Sequence, residues 1–137
     1  MKQIPRVQKF MTVMPHSIGE DISIRTAVSM MRENHFRHLP VVQAGQLVGL
    51  LTDRDVKLAS GFAGPSDLLV EEVMTQAPYT VLPEAPLDQV VLEMAEHKYG
   101  CAIVRQSNGK IVGIFTATDG LRVLGELMQA NYKPAVA

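Results

Sequence analysis

Gly49-Leu50-Leu51-Thr52-Asp53-Arg54-Asp55 and Gly113-Ile114-Phe115-Thr116-Ala117-Thr118-Asp119 spell one pattern twice, Gly-apolar-x-Thr-x-x-Asp. Around this pair the chain repeats itself. Val48-Gly49 matches Val112-Gly113 at an offset of 64, and upstream of Asn108 the offset becomes 63. At 63, Met11-Thr12 matches Met74-Thr75, Ser17-Ile18 matches Thr80-Val81, and Val28, Met31, Glu33 and Val41 match Val91, Met94, Glu96 and Val104. A register held over some 50 residues is the mark of a duplicated structural unit. The halves run over roughly 7–59 and 70–123, joined by the turn-rich Gly61-Phe62-Ala63-Gly64-Pro65-Ser66-Asp67.

Each half reads β-α-β-β-α. Short extended segments begin at Ser17-Ile18 and Thr80-Val81. Ile24, Ala27, Val28 and Met31 share one face of a helix over about 23–33, and Leu87, Val90, Val91 and Met94 share the matching face over about 86–97. Pro86 suits a first helical position. Hairpins follow, with 39–42 turning at Ala44-Gly45 into 47–51, and 102–104 turning at Asn108-Gly109 into 111–115. Closing helices are expected from about Asp53 to Ser60 and from about Ala117 to Ala130. A unit of about 50 residues makes a thin core on its own. The expected fold is therefore α+β, two βαββα repeats packed with pseudo-twofold symmetry and ligand sites in clefts between them. The expected domains are repeat 1 over 1–60 with its lead-in, a linker over 61–69, repeat 2 over 70–130 and a flexible tail over 131–137.

The repeated motif has two physical readings. Thr-x-x-Asp at a helix start is a relative of the capping box, the hydroxyl accepting from the third backbone N–H and the acid facing the positive end of the helix dipole. The same geometry suits a ligand. A carboxylate accepts two hydrogen bonds from a vicinal diol, a threonine hydroxyl and helix-start N–H groups hold sugar or phosphate oxygens, and the upstream glycine permits close backbone approach.

With its flanks, Met11-Thr12 through His38-Leu39-Pro40-Val41-Val42 to Val48-Gly49-Leu50-Leu51-Thr52-Asp53-Arg54-Asp55, the repeat resembles the CBS domain, and its second copy does so equally. The resemblance covers almost the whole chain and implies a tandem CBS pair, or Bateman module. Members of this family form disc-like modules that usually dimerise and often hold AMP, ADP, ATP or S-adenosylmethionine. The motif aspartate typically binds ribose, with the threonine near ribose or phosphate and the base against strands of the opposite copy. Carried over, one cleft would use Thr52 and Asp55 with Leu50 as a wall. Tyr79, Thr80 and Val81 would face it from the other copy, with Gly100, Cys101 and Ala102 beside the base. The second would use Ile114, Thr116 and Asp119, facing His16, Ser17, Ile18, Arg37 and His38. Arg37, His38 and Arg54 suit phosphate. Where copy one has Phe36-Arg37-His38-Leu39-Pro40, copy two has Tyr99-Gly100-Cys101-Ala102-Ile103, which lacks the basic pair, so the two clefts are not equivalent.

Composition limits the other possibilities. With 137 residues, 47% hydrophobic, a formal net charge of -1 and a sequence pI near 6.4, the chain has no basic footprint for nucleic acid or anionic membrane. No apolar run approaches a membrane span and the first residues do not read as a signal peptide, so a cytoplasmic protein is expected. The four histidines lack metal spacing, Cys101 has no evident paired base, and no acid/base dyad, phosphate loop or nucleophile elbow is visible. Neither enzymatic activity nor a catalytic cofactor is expected. An adenine nucleotide is the expected regulatory ligand, a homodimer the expected assembly and a separate protein the expected target. A ligand-free interaction module, or one that binds S-adenosylmethionine or NAD, is the alternative. Residues 4–10 are expected to pack as a short helix. Leu121, Leu124 and Leu127-Met128 form an apolar stripe that should bury against the core or a second subunit.

Overall fold

The computed structural model describes residues 2–13, 16–60 and 68–136, so the expected joint over 61–67 lies outside the described residues. The chain divides into two compact units, Pro15–Pro78 on one side and Met1–Met14 with Tyr79–Ala137 on the other. These units do not coincide with the repeat boundaries read from the sequence. The lead-in to repeat 1 packs with repeat 2.

In the Pro15–Pro78 unit, strand β2 (Ile18–Gly19) leads into helix α1 (Ile24–Asn34), hairpin strands β3 (His38–Gln43) and β4 (Gln46–Thr52), and helix α2 (Asp53–Ser60). A short helix α3 (Val70–Val73) and strand β5 (Thr75–Gln76) complete it. The sheet order is β2-β3-β4-β5, with β2 parallel to β3 and the other pairs antiparallel. Ser23 caps α1, its Oγ accepting from Thr26 N at 3.2 Å, and His35 ends the helix in the left-handed region (φ 59°). Ile24, Ala27 and Met31 are the buried stripe of α1, as the spacing predicts. The hairpin turns through Ala44 (φ 50°) and Gly45 (φ 77°), the two positive values that a tight two-residue turn requires.

In the other unit, the 3-10 helix Val7–Lys9 and strand β1 (Thr12–Val13) precede β6 (Thr80–Val81), α4 (Leu87–His97), β7 (Cys101–Arg105), β8 (Ile111–Thr116) and α5 (Ala117–Asn131). Its sheet order is β1-β8-β7-β6. Pro86 is the residue before α4, not its first residue, with extended backbone (ψ 131°). Val7, Leu87, Val90, Met94, Ala102, Val104, Phe115 and Val123 make the core. Val7, fully buried, is anchored by its N–H on the Ala85 carbonyl at 2.9 Å, so the lead-in is an integral part of this unit.

The sequence reading missed the fourth strand of each sheet. Met11-Thr12 and Met74-Thr75 mark the start of each repeat, yet β1 pairs with β8 of repeat 2 and β5 pairs with β4 of repeat 1. The motif glycines permit this. A Cβ on Gly49 would strike Met74 Sδ and come within 3.0 Å of the Thr75 carbonyl oxygen. A Cβ on Gly113 would meet Met11 Sδ and approach the Thr12 carbonyl oxygen to 2.9 Å. The close approach that these glycines allow is therefore to the incoming strand.

Gly49→Ala and Gly113→Ala should each destabilise the protein by about 1–3 kcal/mol, the usual range for overpacking. Gly125→Ala, in mid-helix with nothing within 4 Å of the added methyl, should stabilise by roughly 0.5–1 kcal/mol. Urea unfolding of the three variants reads both signs.

Candidate functional site

The motif copies sit where a central strand runs into a helix, β4 into α2 and β8 into α5. Both close as capping boxes. Asp55 N donates to Thr52 Oγ1 at 3.0 Å while Thr52 N donates to Asp55 Oδ2 at 3.2 Å. Asp119 N donates to Thr116 Oγ1 at 3.1 Å and Thr116 N to Asp119 Oδ2 at 2.9 Å. Two orphan donors are thus satisfied reciprocally at each helix start. A further N–H is used in each copy, Asp53 N on the Arg37 carbonyl and Ala117 N on the Gly100 carbonyl, both at 2.9 Å. The helix-start N–H groups expected to meet phosphate are largely occupied by the protein itself.

The two carboxylates differ in their remaining surroundings. Asp55 is half-buried, and Thr75 Oγ1 of β5 donates to its Oδ2 at 3.3 Å. Its hydrogen bonds among the described residues converge on that one oxygen. Asp119 is buried, 5% exposed, and its second oxygen Oδ1 accepts from Arg122 Nη1 at 3.2 Å. The copy-two acid is therefore satisfied on both oxygens, and the copy-one acid keeps acceptor capacity.

Sheet register decides which other residues gather around each motif. Ile18 lies beside Val41 and His38 opposite Thr52, so Ile18 and His38 share a sheet with Thr52, and Arg37 and Asp55 flank the end where β3 begins and β4 stops. Arg37 and Arg54 are exposed and His38 is half-buried. Exposed His16, next to exposed Ser17, packs its ring 5.0 Å from Phe36. In the other unit Thr80 lies beside Ile103 and Cys101 opposite Thr116, and Ile103 N donates to the Tyr79 carbonyl at 2.9 Å. Tyr79, Thr80, Val81, Gly100, Cys101 and Ala102 thus gather with Thr116 and Asp119. Within each unit, strand-end residues gather around the motif of their own repeat copy. Parallel pairing of the first strand with its own hairpin is the cause. Ala102 is fully buried, and Ile18, Leu50, Cys101 and Ile114 are nearly so, which makes their side chains core first.

The sequence reading missed Thr75, Arg122 and an aromatic pair. Tyr79 and Tyr99 stack at 5.1 Å, with His97 stacked on Tyr99 at 5.1 Å. At offset 63 they correspond to His16 and Phe36, so the repeat itself carried that signal; Arg122, three residues after Asp119, was legible from helical spacing. Burial first, then the charge of Glu93 and the Tyr99 phenol, push the Tyr79 phenol up. Among the described residues no cluster of three or more His, Cys, Asp or Glu could hold a metal ion, and no helix is long and apolar enough to cross a membrane.

The CBS domain model matches this chain twice, over residues 7–61 and 70–126. The chain belongs to the CBS domain family. It is 32% identical over 115 residues to the CBS domain-containing protein YhcV of Bacillus subtilis, covering 82% of this chain and 81% of that one. It is 33% identical over 118 residues to an inosine-5'-monophosphate dehydrogenase of Korarchaeum cryptofilum, where 86% of this chain spans 24% of the enzyme. The chain likewise spans about a quarter of the other long curated relatives, such as an L-aspartate semialdehyde sulfurtransferase of Methanocaldococcus jannaschii (24%). Among solved structures, the CBS domain pair of protein MJ0100 in complex with 5-methylthioadenosine and S-adenosyl-L-methionine superposes with TM-score 0.83 at 28% identity, covering 91% of this chain and 99% of that one. CBSX2 in complex with AMP superposes with TM-score 0.74 at 26% identity, covering 89% and 97%. A hexameric CBS-CP12 protein from bloom-forming cyanobacteria superposes with TM-score 0.79 at 26% identity, covering 88% and 68%.

Burial pushes the Cys101 thiol up to about 12 from its ordinary 9.0. The thiolate is the nucleophile, so folded protein at pH 8 should resist a thiol reagent that labels it stoichiometrically in denaturant. A thiol pKa raised on folding favours the folded state fully below about pH 9, and that contribution is lost as pH climbs towards 12. Rapid labelling of the native protein at pH 8 would contradict the burial.

Proposed function

We propose that this protein is a regulatory module that binds an adenine nucleotide at the copy-one motif, and that it is not itself a catalyst. One observation carries the reading: of two otherwise equivalent Thr-x-x-Asp elements, only copy one pairs an acid with spare acceptor capacity with a basic surround. Asp55 takes the ribose hydroxyls. The Thr52 hydroxyl, whose oxygen already accepts from Asp55 N, has its proton to donate to a sugar or phosphate oxygen. Arg37, His38 and Arg54 neutralise phosphate, with Arg offering two parallel N–H donors. His16, Ser17 and Ile18 lie at and just before the start of β2 in the same unit. AMP in CBSX2 supports this class of ligand.

A second reading has its own support. At copy two no basic side chain replaces Arg37 and His38, and Arg122 occupies Asp119. If the exposed Arg122 releases Oδ1 to a ribose, Thr116 and Asp119, with Ile114, suit an adenosine without phosphate, the class bound by MJ0100 as 5-methylthioadenosine and S-adenosylmethionine. Ligand action follows from differential affinity for two arrangements of the protein. The output passes to a separate protein target, and the working form is a homodimer, in line with the oligomeric CBS-CP12 relative.

Thermal unfolding against AMP, ADP, ATP, S-adenosylmethionine and NAD tests the proposal. At about a hundred times its dissociation constant a specific ligand adds roughly 2.7 kcal/mol. AMP, ADP or ATP should raise Tm by several degrees, with the rise abolished by Asp55→Ala, reduced by Arg37→Ala at low salt and retained by Asp119→Ala. A rise lost only in Asp119→Ala would transfer the site to copy two. No rise with any ligand would leave the motifs as helix caps in an interaction module.

A further inference from the structure

Helix α5 starts at the acid of the second motif and carries, three residues on, the cation that occupies it. Asp119 and Val123 are its buried side. The apolar stripe of Leu121, Leu124, Leu127 and Met128 stays exposed, so its expected burial against the core is not met within the chain. Asp119 is tied to the backbone twice. Its Oδ2 accepts from Thr116 N at 2.9 Å, and its own N–H donates to Thr116 Oγ1 at 3.1 Å. Its Oδ1 has one partner among the described residues, Arg122 Nη1 at 3.2 Å. The two ends of this ion pair are unlike, the Asp119 side chain being 7% exposed and that of Arg122 62%. A fixed, buried acceptor is held by a donor that reaches it from water.

Copy one lacks this arrangement. At the offset of 64, Arg122 corresponds to Leu58, three residues after Asp55 and likewise exposed. Both motifs close by the same reciprocal capping box, so the side chain three residues on stands in the same relation to each acid. A leucine donates nothing, and Asp55 Oδ1 accepts no hydrogen bond among the described residues. A ribose engages such an acid by donating its hydroxyls to the carboxylate oxygens. In copy two the Arg122 N–H already makes that bond. Its release costs little solvation, because the guanidinium is already largely in water. Exposed Glu126, which has no ion pair among the described residues, lies four residues further along the helix as an alternative partner.

We infer that Arg122 is a built-in competitor of the ribose at copy two. An uncharged adenosine gains Asp119 by displacing the Arg122 side chain, and this latch sets the affinity of copy two; copy one, with Leu58, has none. The inference rests on the reading of copy two as an adenosine site and adds the residue that regulates it. The competition is between charges, so salt weakens the latch while sparing the hydrogen bonds of an uncharged ligand.

The test titrates the ¹⁵N-labelled full chain with adenosine and reads the amides of Thr116 and Asp119. Arg122→Leu, which installs the copy-one residue, and Arg122→Ala should each bind roughly 3–10-fold more tightly than the parent, the scale of a charge-assisted bond half open to water. Raising the salt from ~0.02 M to ~0.5 M should tighten adenosine binding to the parent about twofold or more and leave Arg122→Leu unchanged. A residue that merely propped the helix would not produce that difference, and the parent's salt dependence stands even if a variant fails to fold. Equal or weaker binding in both variants, with saturating shifts still at Thr116 and Asp119, would overturn the latch and leave the adenosine reading of copy two standing. No saturating shift there in the parent or in either folded variant would overturn that reading, and the latch with it.

Discussion

Two glycines decide how the chain is assembled. Gly49 and Gly113 sit in the central strand of each sheet at points where any side chain would collide with a methionine and a carbonyl of the incoming lead-in strand. Only hydrogen at the α-carbon lets β5 lie on β4 and β1 on β8. Those pairings bring Thr75 to the Asp55 carboxylate and carry Val7 into the core of the unit built from repeat 2. Each unit is therefore completed by the segment that opens the other repeat. A duplicated unit of some 50 residues, thin on its own, gains a fourth strand from the copy to which it is covalently tied.

The same glycines explain what was legible beforehand and what was not. Repeat register, helix faces and hairpin turns were all readable, because each depends on local spacing: Ile24, Ala27 and Met31 on one stripe, Ala44-Gly45 at a turn. The exchange of lead-ins was not readable. β1 and β5 are two residues long and carry no periodicity, and their pairing is a long-range choice. Gly49 and Gly113 were visible as sites of close approach, but one sequence cannot say whether a ligand or a strand does the approaching. Parallel pairing of β2 with β3 and of β6 with β7 keeps each first strand beside its own hairpin. Strand-end residues and motif therefore come together within one copy.

The capping reading and the binding reading of Thr-x-x-Asp are compatible. A capping box spends the threonine oxygen lone pair and one carboxylate oxygen, leaving the hydroxyl proton and the other oxygen for further use. Copy two uses that oxygen on Arg122 and buries the acid; copy one leaves it at a half-buried site beside Arg37, His38 and Arg54. Two elements with one backbone geometry have diverged in electrostatics, which is how a duplicated module comes to hold one charged ligand, or two different ones. A ligand in copy one would also touch the end of β4, the strand that Gly49 joins to β5.

The most direct measurement is a ¹⁵N-resolved NMR titration of the protein with AMP, read at the amides of both motifs. Binding at copy one predicts that Arg37, His38 and Thr52 through Asp55 shift progressively and saturate together, with Thr75 following through its hydrogen bond to Asp55. Thr116 through Asp119 should move little. Saturating shifts confined to Thr116 through Asp119, or no saturating shift at either motif, would contradict the assignment of the nucleotide to Asp55.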